Sequence, residues 1–153
     1  SPLLSEDMEV IGPVALYLHA SIDHDDTNWI IKLIDEDKDG TELELVTSYL
    51  KASHRALDTS KSTPLQPYHP HLTSEPVVPG EIYEYPIEIS PVAHVFREDH
   101  RIKLSIESME SPRDRGMVMH WHPHLCSSKT TVHKIYHNKE HPSHLLLPII
   151  EKK

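Results

Sequence analysis

The sequence has 153 residues, enough for one domain with its own apolar core, although only 37% of them are apolar. Its 24 acidic side chains outnumber 15 Lys and Arg, for a formal charge of −9, so the basic footprint that nucleic acid or an anionic membrane would need is missing. Protonating all 14 His would move that charge to +5, which makes surface chemistry sensitive to pH below about 6.5.

The pattern along the chain is alternation, the period of β-strands. Val14, Leu16, Leu18 and Ala20 share one face of a first strand, with Tyr17, His19 and Ser21 on the other. Trp29, Ile31 and Leu33 repeat the pattern, and Asp37-Lys38-Asp39-Gly40 reads as a hairpin turn in which Gly40 takes a positive φ. Leu43 and Leu45 open the return strand, and Asp35-Glu36-Asp37 reads as its charged hairpin end. Residues 53–80 carry Pro64, Pro67, Pro70, Pro76 and Pro79, which break any regular element, and form one long surface loop closed by Pro79-Gly80. Alternation resumes at Tyr83, Tyr85, Ile87 and Ile89, then at Ile102, Leu104 and Ile106. Two late strands run from Val132 to Tyr136 and from Leu145 to Ile150, the last with Pro148 at an edge or bulge. About eight strands in a single domain over residues 1–153 make an all-β sandwich or jelly roll.

Four glycines, Gly12, Gly40, Gly80 and Gly116, lie at least 28 positions apart. The G-x-S-x-G nucleophile elbow, the phosphate-binding P-loop and the dinucleotide fingerprint each need two nearby glycines, so none is present. No catalytic residue and no cofactor is assigned. No apolar run approaches the ~20 residues of a membrane-spanning helix, and no signal peptide opens the chain. Ser1 in place of an initiator Met reads as an expression scar or a processed fragment. The lone Cys126 cannot form an internal disulfide, which fits the cytoplasm.

The most suggestive metal chemistry lies in Met119-His120-Trp121-His122-Pro123-His124-Leu125-Cys126. In an extended chain His120, His122 and His124 share a face, and three imidazoles with the Cys126 thiolate would suit zinc. Pro123 interrupts that strand, no orienting carboxylate stands nearby, and His is common elsewhere, so the reading preferred here is a polar surface loop without metal. Asp23-His24-Asp25-Asp26-Thr27-Asn28 lacks the spacing and closing Glu of a calcium-binding EF-hand and reads as a solvated loop. Trp121 is the candidate platform for a sugar, whereas Trp29 falls at a core position.

Five segments in order resemble one family. Gly12-Pro13-Val14-Ala15-Leu16-Tyr17 resembles its opening strand, and Asp26-Thr27-Asn28-Trp29-Ile30-Ile31-Lys32-Leu33-Ile34-Asp35 its D-T-D-F/W-x-x-K-L-x-D segment. Pro79-Gly80-Glu81-Ile82-Tyr83 is similar to its P-G-E-x-Y, and Val95-Phe96 with His100-Arg101-Ile102 to its N-V-F-x-x-G-H-R-I. The most specific piece is Ile135-Tyr136-His137 followed by Glu140-His141-Pro142-Ser143-His144 and Leu145 to Ile150. Asn28, His94 and Asp99 depart from it, standing where Asp, Asn and Gly are usual. The family is that of cocaine esterase, X-prolyl dipeptidyl peptidase and α-amino-acid ester hydrolase, and the resemblance is to its C-terminal domain.

That resemblance implies a jelly-roll sandwich related to galactose-binding folds, a non-catalytic role, and a partner: an α/β-hydrolase domain of the same protein that carries the serine, histidine and aspartate. The acidic charge balance argues against a nucleic-acid or membrane partner, and a homo-oligomer stays open. The domain would pack on the hydrolase and shape the active-site entrance, with residues 119–126 and 53–80 as candidate contact segments. The alternatives are a stand-alone carbohydrate-binding module and a metal protein built on the His cluster.

Overall fold

The computed structural model describes residues 1–109 and 130–151. Seven strands appear in them: β1 (Met8–Ile22), β2 (Asn28–Glu36), β3 (Glu42–Lys51), β4 (Tyr83–Phe96), β5 (Arg101–Glu107), β6 (His133–Tyr136) and β7 (His144–Leu146), with one 3-10 turn at Ala52–His54. They form two antiparallel sheets packed as a β-sandwich, the fold class expected from alternation.

One sheet is centred on β1. Along one edge β1 pairs with β4 from Met8↔Phe96 to Ala20↔Tyr83, with a register shift at Gly12/Val14. Along the other edge it pairs with β6 (His19↔Tyr136 to Ile22↔His133), with β7 (Ala15↔Leu146 to Tyr17↔His144) and through an isolated bridge, Val10↔Ile149. The expected last strand, Leu145 to Ile150, is thus shorter than the alternation suggests. It stops at Leu146, near Pro148, which has no N–H for a ladder but accepts the Ile11 N–H at 3.2 Å. Gly12 makes this approach feasible: its φ is +131°, and a Cβ there would meet the Pro148 ring at 3.3 Å.

The second sheet runs β3-β2-β5. The β2–β3 turn is the predicted one, with Gly40 at φ +83° and the Asp37 carboxylate accepting the Asp39 and Thr41 N–H groups at 2.8 and 2.9 Å. Between β3 and β4 the chain runs from 55 to 82 with a single bridge, Thr63↔Gln66.

Inward residues of both sheets make the core. Val14, Leu16, Leu18, Ala20 and Ile22 of β1 and Tyr85, Ile87, Ile89 and Phe96 of β4 face Trp29, Ile31 and Leu50, all buried. Trp29 and Tyr85 pack with ring centroids 5.2 Å apart. Burying such a ring contributes about 3–5 kcal/mol, judged from truncation to Ala.

Candidate docking surface

At the end of the sandwich where β1 finishes and β2 begins, the β1–β2 loop and two stretches of the β3–β4 excursion are tied to one another by main-chain bonds. Ala52 N–H donates to Thr27 O (2.9 Å), Glu75 N–H to Ser53 O (2.7 Å), Val77 N–H to Asp25 O (2.8 Å) and Gly80 N–H to Ile22 O (2.7 Å). A side-chain knot reinforces them. Asp26 accepts the N–H of Thr27 and of Ser53 on Oδ1 at 2.9 Å each and the Ser53 hydroxyl on Oδ2 at 2.8 Å, with Lys51 3.1 Å from that same Oδ2. The acidic stretch therefore uses Asp26 as a brace between the β1–β2 and β3–β4 loops. Arg55 donates to Ala52 O and Glu75 O and lies 4.4 Å over the Tyr83 ring, a cation–π contact of about 0.5–1 kcal/mol or more. Tyr83 in turn donates to Glu81 at 2.8 Å and accepts the Val78 N–H at 3.3 Å. Backbone held this tightly at two loops is pre-organised, the property of a binding surface that does not pay to order itself.

The chain arriving at β6 joins the same end. Val132 N–H donates to Asp23 at 2.8 Å, the His24 ring to Thr130 O at 3.0 Å, and His133 is hydrogen-bonded to the Thr27 hydroxyl at 2.8 Å. His133 also sits edge-on to Trp29, with centroids 5.2 Å apart. Burial holds the His133 imidazole below its ordinary pKa, against the opposing pull of Asp23. A hydroxyl beside an imidazole is the start of a nucleophile–base pair, but a base weakened by burial and wedged against the core braces this end instead. Behind it, burial pushes the Tyr85 hydroxyl up to about 12. That hydroxyl and the Trp29 indole N–H are both buried without a hydrogen-bond partner among the described residues.

Between these braced segments lies an open groove of about 320 Å³, walled by Ser21, Ile22 and Asp23, by Pro79 and Gly80, and by Val132, Lys134 and Tyr136. Large apolar side chains stand exposed around it: Val78 at 50% and Val132 at 53%, with Ile82 at 36% beyond the turn.

The opposite end is built differently. Asp35, expected at a charged hairpin tip, faces inward as the continuation of the Trp29-Ile31-Leu33 stripe and is only 5% exposed. Its strand neighbours are Leu43 and Ile102. Its two oxygens accept hydrogen bonds from His94 of β4 at 2.7 Å and from His100 of the β4–β5 turn at 2.8 Å. A carboxylate thus ties one sheet to the other at the point where the chain crosses between them. Asp99, in that turn, has φ +62°. From this end the outer face of the second sheet carries a ladder of charge, Arg101 with Glu36 (3.3 Å) and Lys103 with Glu36 (2.7 Å) and with Glu42, which continues along the sheet to Lys32 with Glu107 (3.3 Å). A hydrogen bond to Lys103 holds the Glu36 carboxyl below its usual range.

Three imidazoles, His54, His69 and His71, adjoin one another in the β3–β4 excursion, with centroids 5.7 and 5.8 Å apart. Burial and the two neighbouring rings lower the His71 pKa. Among the described residues no group of three or more His, Cys, Asp or Glu is arranged to hold a metal ion. His120, His122, His124 and Cys126 lie outside the described residues.

Comparison with known proteins places these features in context. Residues 1–146 match the X-Pro dipeptidyl-peptidase C-terminal non-catalytic domain. The chain is similar to cocaine esterase from Rhodococcus sp., with 30% identity over 156 residues that take in 98% of the chain and 25% of that protein. The crystal structure of a CocE/NonD family hydrolase from Staphylococcus aureus superimposes with a TM-score of 0.86 at 26% identity, over 97% of this chain and 29% of that one. An aminopeptidase from a marine-sediment thaumarchaeon shares the fold, with a TM-score of 0.75 at 23% identity and coverage of 99% and 25%. The chain spans between a quarter and a third of the length of each of these proteins.

Proposed function

The chain belongs to the family of X-Pro dipeptidyl-peptidase C-terminal non-catalytic domains, and from that premise we propose that it is the accessory domain of a serine hydrolase acting on ester or X-Pro peptide bonds. It packs on an α/β-hydrolase domain of the same protein and helps shape the entrance to its active site. The parent reaction is acyl transfer through an acyl-enzyme, with the nucleophile, its base and the oxyanion donors all supplied by the partner. The observation that carries this reading is the proportion of the match: nearly all of this chain corresponds to 25% of an esterase. Wide spacing of its glycines, which leaves no nucleophile elbow, supports it.

Two measurements test it. The purified chain is expected to hydrolyse neither p-nitrophenyl esters nor X-Pro-anilides, and turnover abolished by a serine-directed inhibitor would refute the non-catalytic assignment. Substituted for the C-terminal domain of the S. aureus hydrolase, the chain is expected to restore hydrolase activity and stability that the truncated enzyme lacks. A chimera no better than the truncated enzyme would count against the packing role.

A further inference from the structure

The two ends of the sandwich differ in a way that assigns a direction to the domain. One end presents charge that is paired within the domain: Asp35 with two imidazoles, Glu36 with Arg101 and Lys103, Asp7 with Arg97 at 2.9 Å. That charge is already satisfied within the domain, although Leu3 and Leu43 stand 46% and 56% exposed at this end as well. The other end spends its loop hydrogen bonds on rigidity and sets its exposed apolar side chains around an open groove. Val78 and Val132 are about half exposed on either side of the groove, and neither has a local reason to be apolar. Rigid backbone beneath an exposed apolar rim is the anatomy of an interface core.

We propose that the groove between Pro79-Gly80 and Val132–Tyr136 is the seat of the catalytic domain; this rests on the accessory-domain reading above and adds the face by which it operates. The occupant is the hydrolase portion that makes up the remaining 75% of the matched esterase. Its contact element presents an apolar side chain to the groove and a carboxylate to Lys134. The first follows from the walls, Ile22, Pro79, Val132 and Tyr136, and the second from charge: the Lys134 ammonium stands on the groove wall with no ion-pair partner among the described residues. Asp23, the acid on the same wall, is already accepting the Val132 N–H at 2.8 Å. A groove of about 320 Å³ takes one or two side chains, which is the scale of an anchor within an interface of about 800 Å² per partner.

Hydrogen exchange on two proteins tests this: the 153-residue chain alone, and the same chain fused in place of the C-terminal domain of the S. aureus hydrolase. Fusion is expected to slow exchange at the amides of 78–82 and 131–132 by about tenfold or more and to leave the Asp37–Gly40 turn unchanged. Val132→Asp and Lys134→Glu each reverse that protection. Both positions are on the groove surface, so the thermal transition of each isolated variant stays at the wild-type temperature and separates lost docking from lost folding. Protection of the Asp37–Gly40 end with an unchanged groove overturns the assigned face while leaving packing on the hydrolase intact. No added protection anywhere on the chain overturns both.

Discussion

Asp35 is the position at which a single substitution separates two accounts of this fold. If the carboxylate is a surface charge near a turn, its removal costs little. The structure instead gives it two imidazole N–H donors at 2.7 and 2.8 Å and only 5% exposure. A hydrogen bond to a charged group contributes about 1.5–3 kcal/mol when its partner is buried. His94 and His100 keep 22% and 29% of their side-chain surface in solvent, so water recovers part of each loss. Asp35→Ala should therefore cost about 2–4 kcal/mol in total. For a domain of this size that lowers Tm by roughly 5–15 °C. Asp35→Asn should cost about 1 kcal/mol or less, because its carboxamide oxygen still accepts from one ring. Its NH₂ can donate to the other ring once that imidazole carries its hydrogen on the far nitrogen. Urea denaturation of the three proteins followed by tryptophan fluorescence gives the ordering directly. Asp35→Ala within 0.5 kcal/mol of wild type, or Asn as damaging as Ala, would refute the two-bond account.

Tyr85→Phe removes a buried hydroxyl that has no partner among the described residues, so it should leave stability unchanged or raise it by up to about 1–2 kcal/mol; a loss greater than 1 kcal/mol in the urea midpoint analysis would mean the hydroxyl is satisfied in solution. Burial lowers the pKa of both His133 and His71 in the folded chain, so the unfolded chain binds more protons below the ordinary His value of about 6.5. Stability should accordingly fall from pH 7 to pH 5, and His133→Gln should flatten that slope; a slope unchanged by the substitution argues against His133 as a source. Gly12→Ala places a Cβ 3.3 Å from the Pro148 ring at a φ of +131° and should cost about 1–3 kcal/mol, whereas Gly40→Ala, with nothing within 4 Å, bears only the backbone strain and should cost less.

What could be read from the sequence was what a strand writes locally. Inward stripes at Val14–Ala20, Trp29–Leu33 and Tyr83–Ile89 follow from side chains alternating across a pleat, and the prolines of 53–80 remove the N–H groups a ladder needs. The turns at Gly40 and Gly80 adopt positive φ, 83° and 85°, at positions where glycine signalled it. Less legible was anything that depends on which strands meet. Asp35 looked like part of a charged tip because three acids follow one another, and only parity with Trp29 and Leu33 hinted that it points inward. His94 and His100 lie six positions apart, yet they reach one carboxylate because the β4–β5 turn carries the chain between sheets. The Asp26–Ser53 brace and the groove walls join residues 27 and more than 50 positions apart, which no local pattern encodes. His94 and Asp99, noted as departures from the family, prove to sit in that same crossing. Asp99 takes the left-handed conformation that glycine holds at lowest cost.

The pairing of β1 also dictates when the domain can exist. Its second edge is completed only by residues 133–149, the farthest bridge joining Val10 to Ile149. At ribosomal speeds of about 5–20 residues per second, β1 spends on the order of ten seconds with its main-chain donors and acceptors open along that side. During that interval it is a bare strand edge, the species most prone to pair with a neighbouring nascent chain. Folding here is a late event, set by the arrival of the tail more than by the strength of the core.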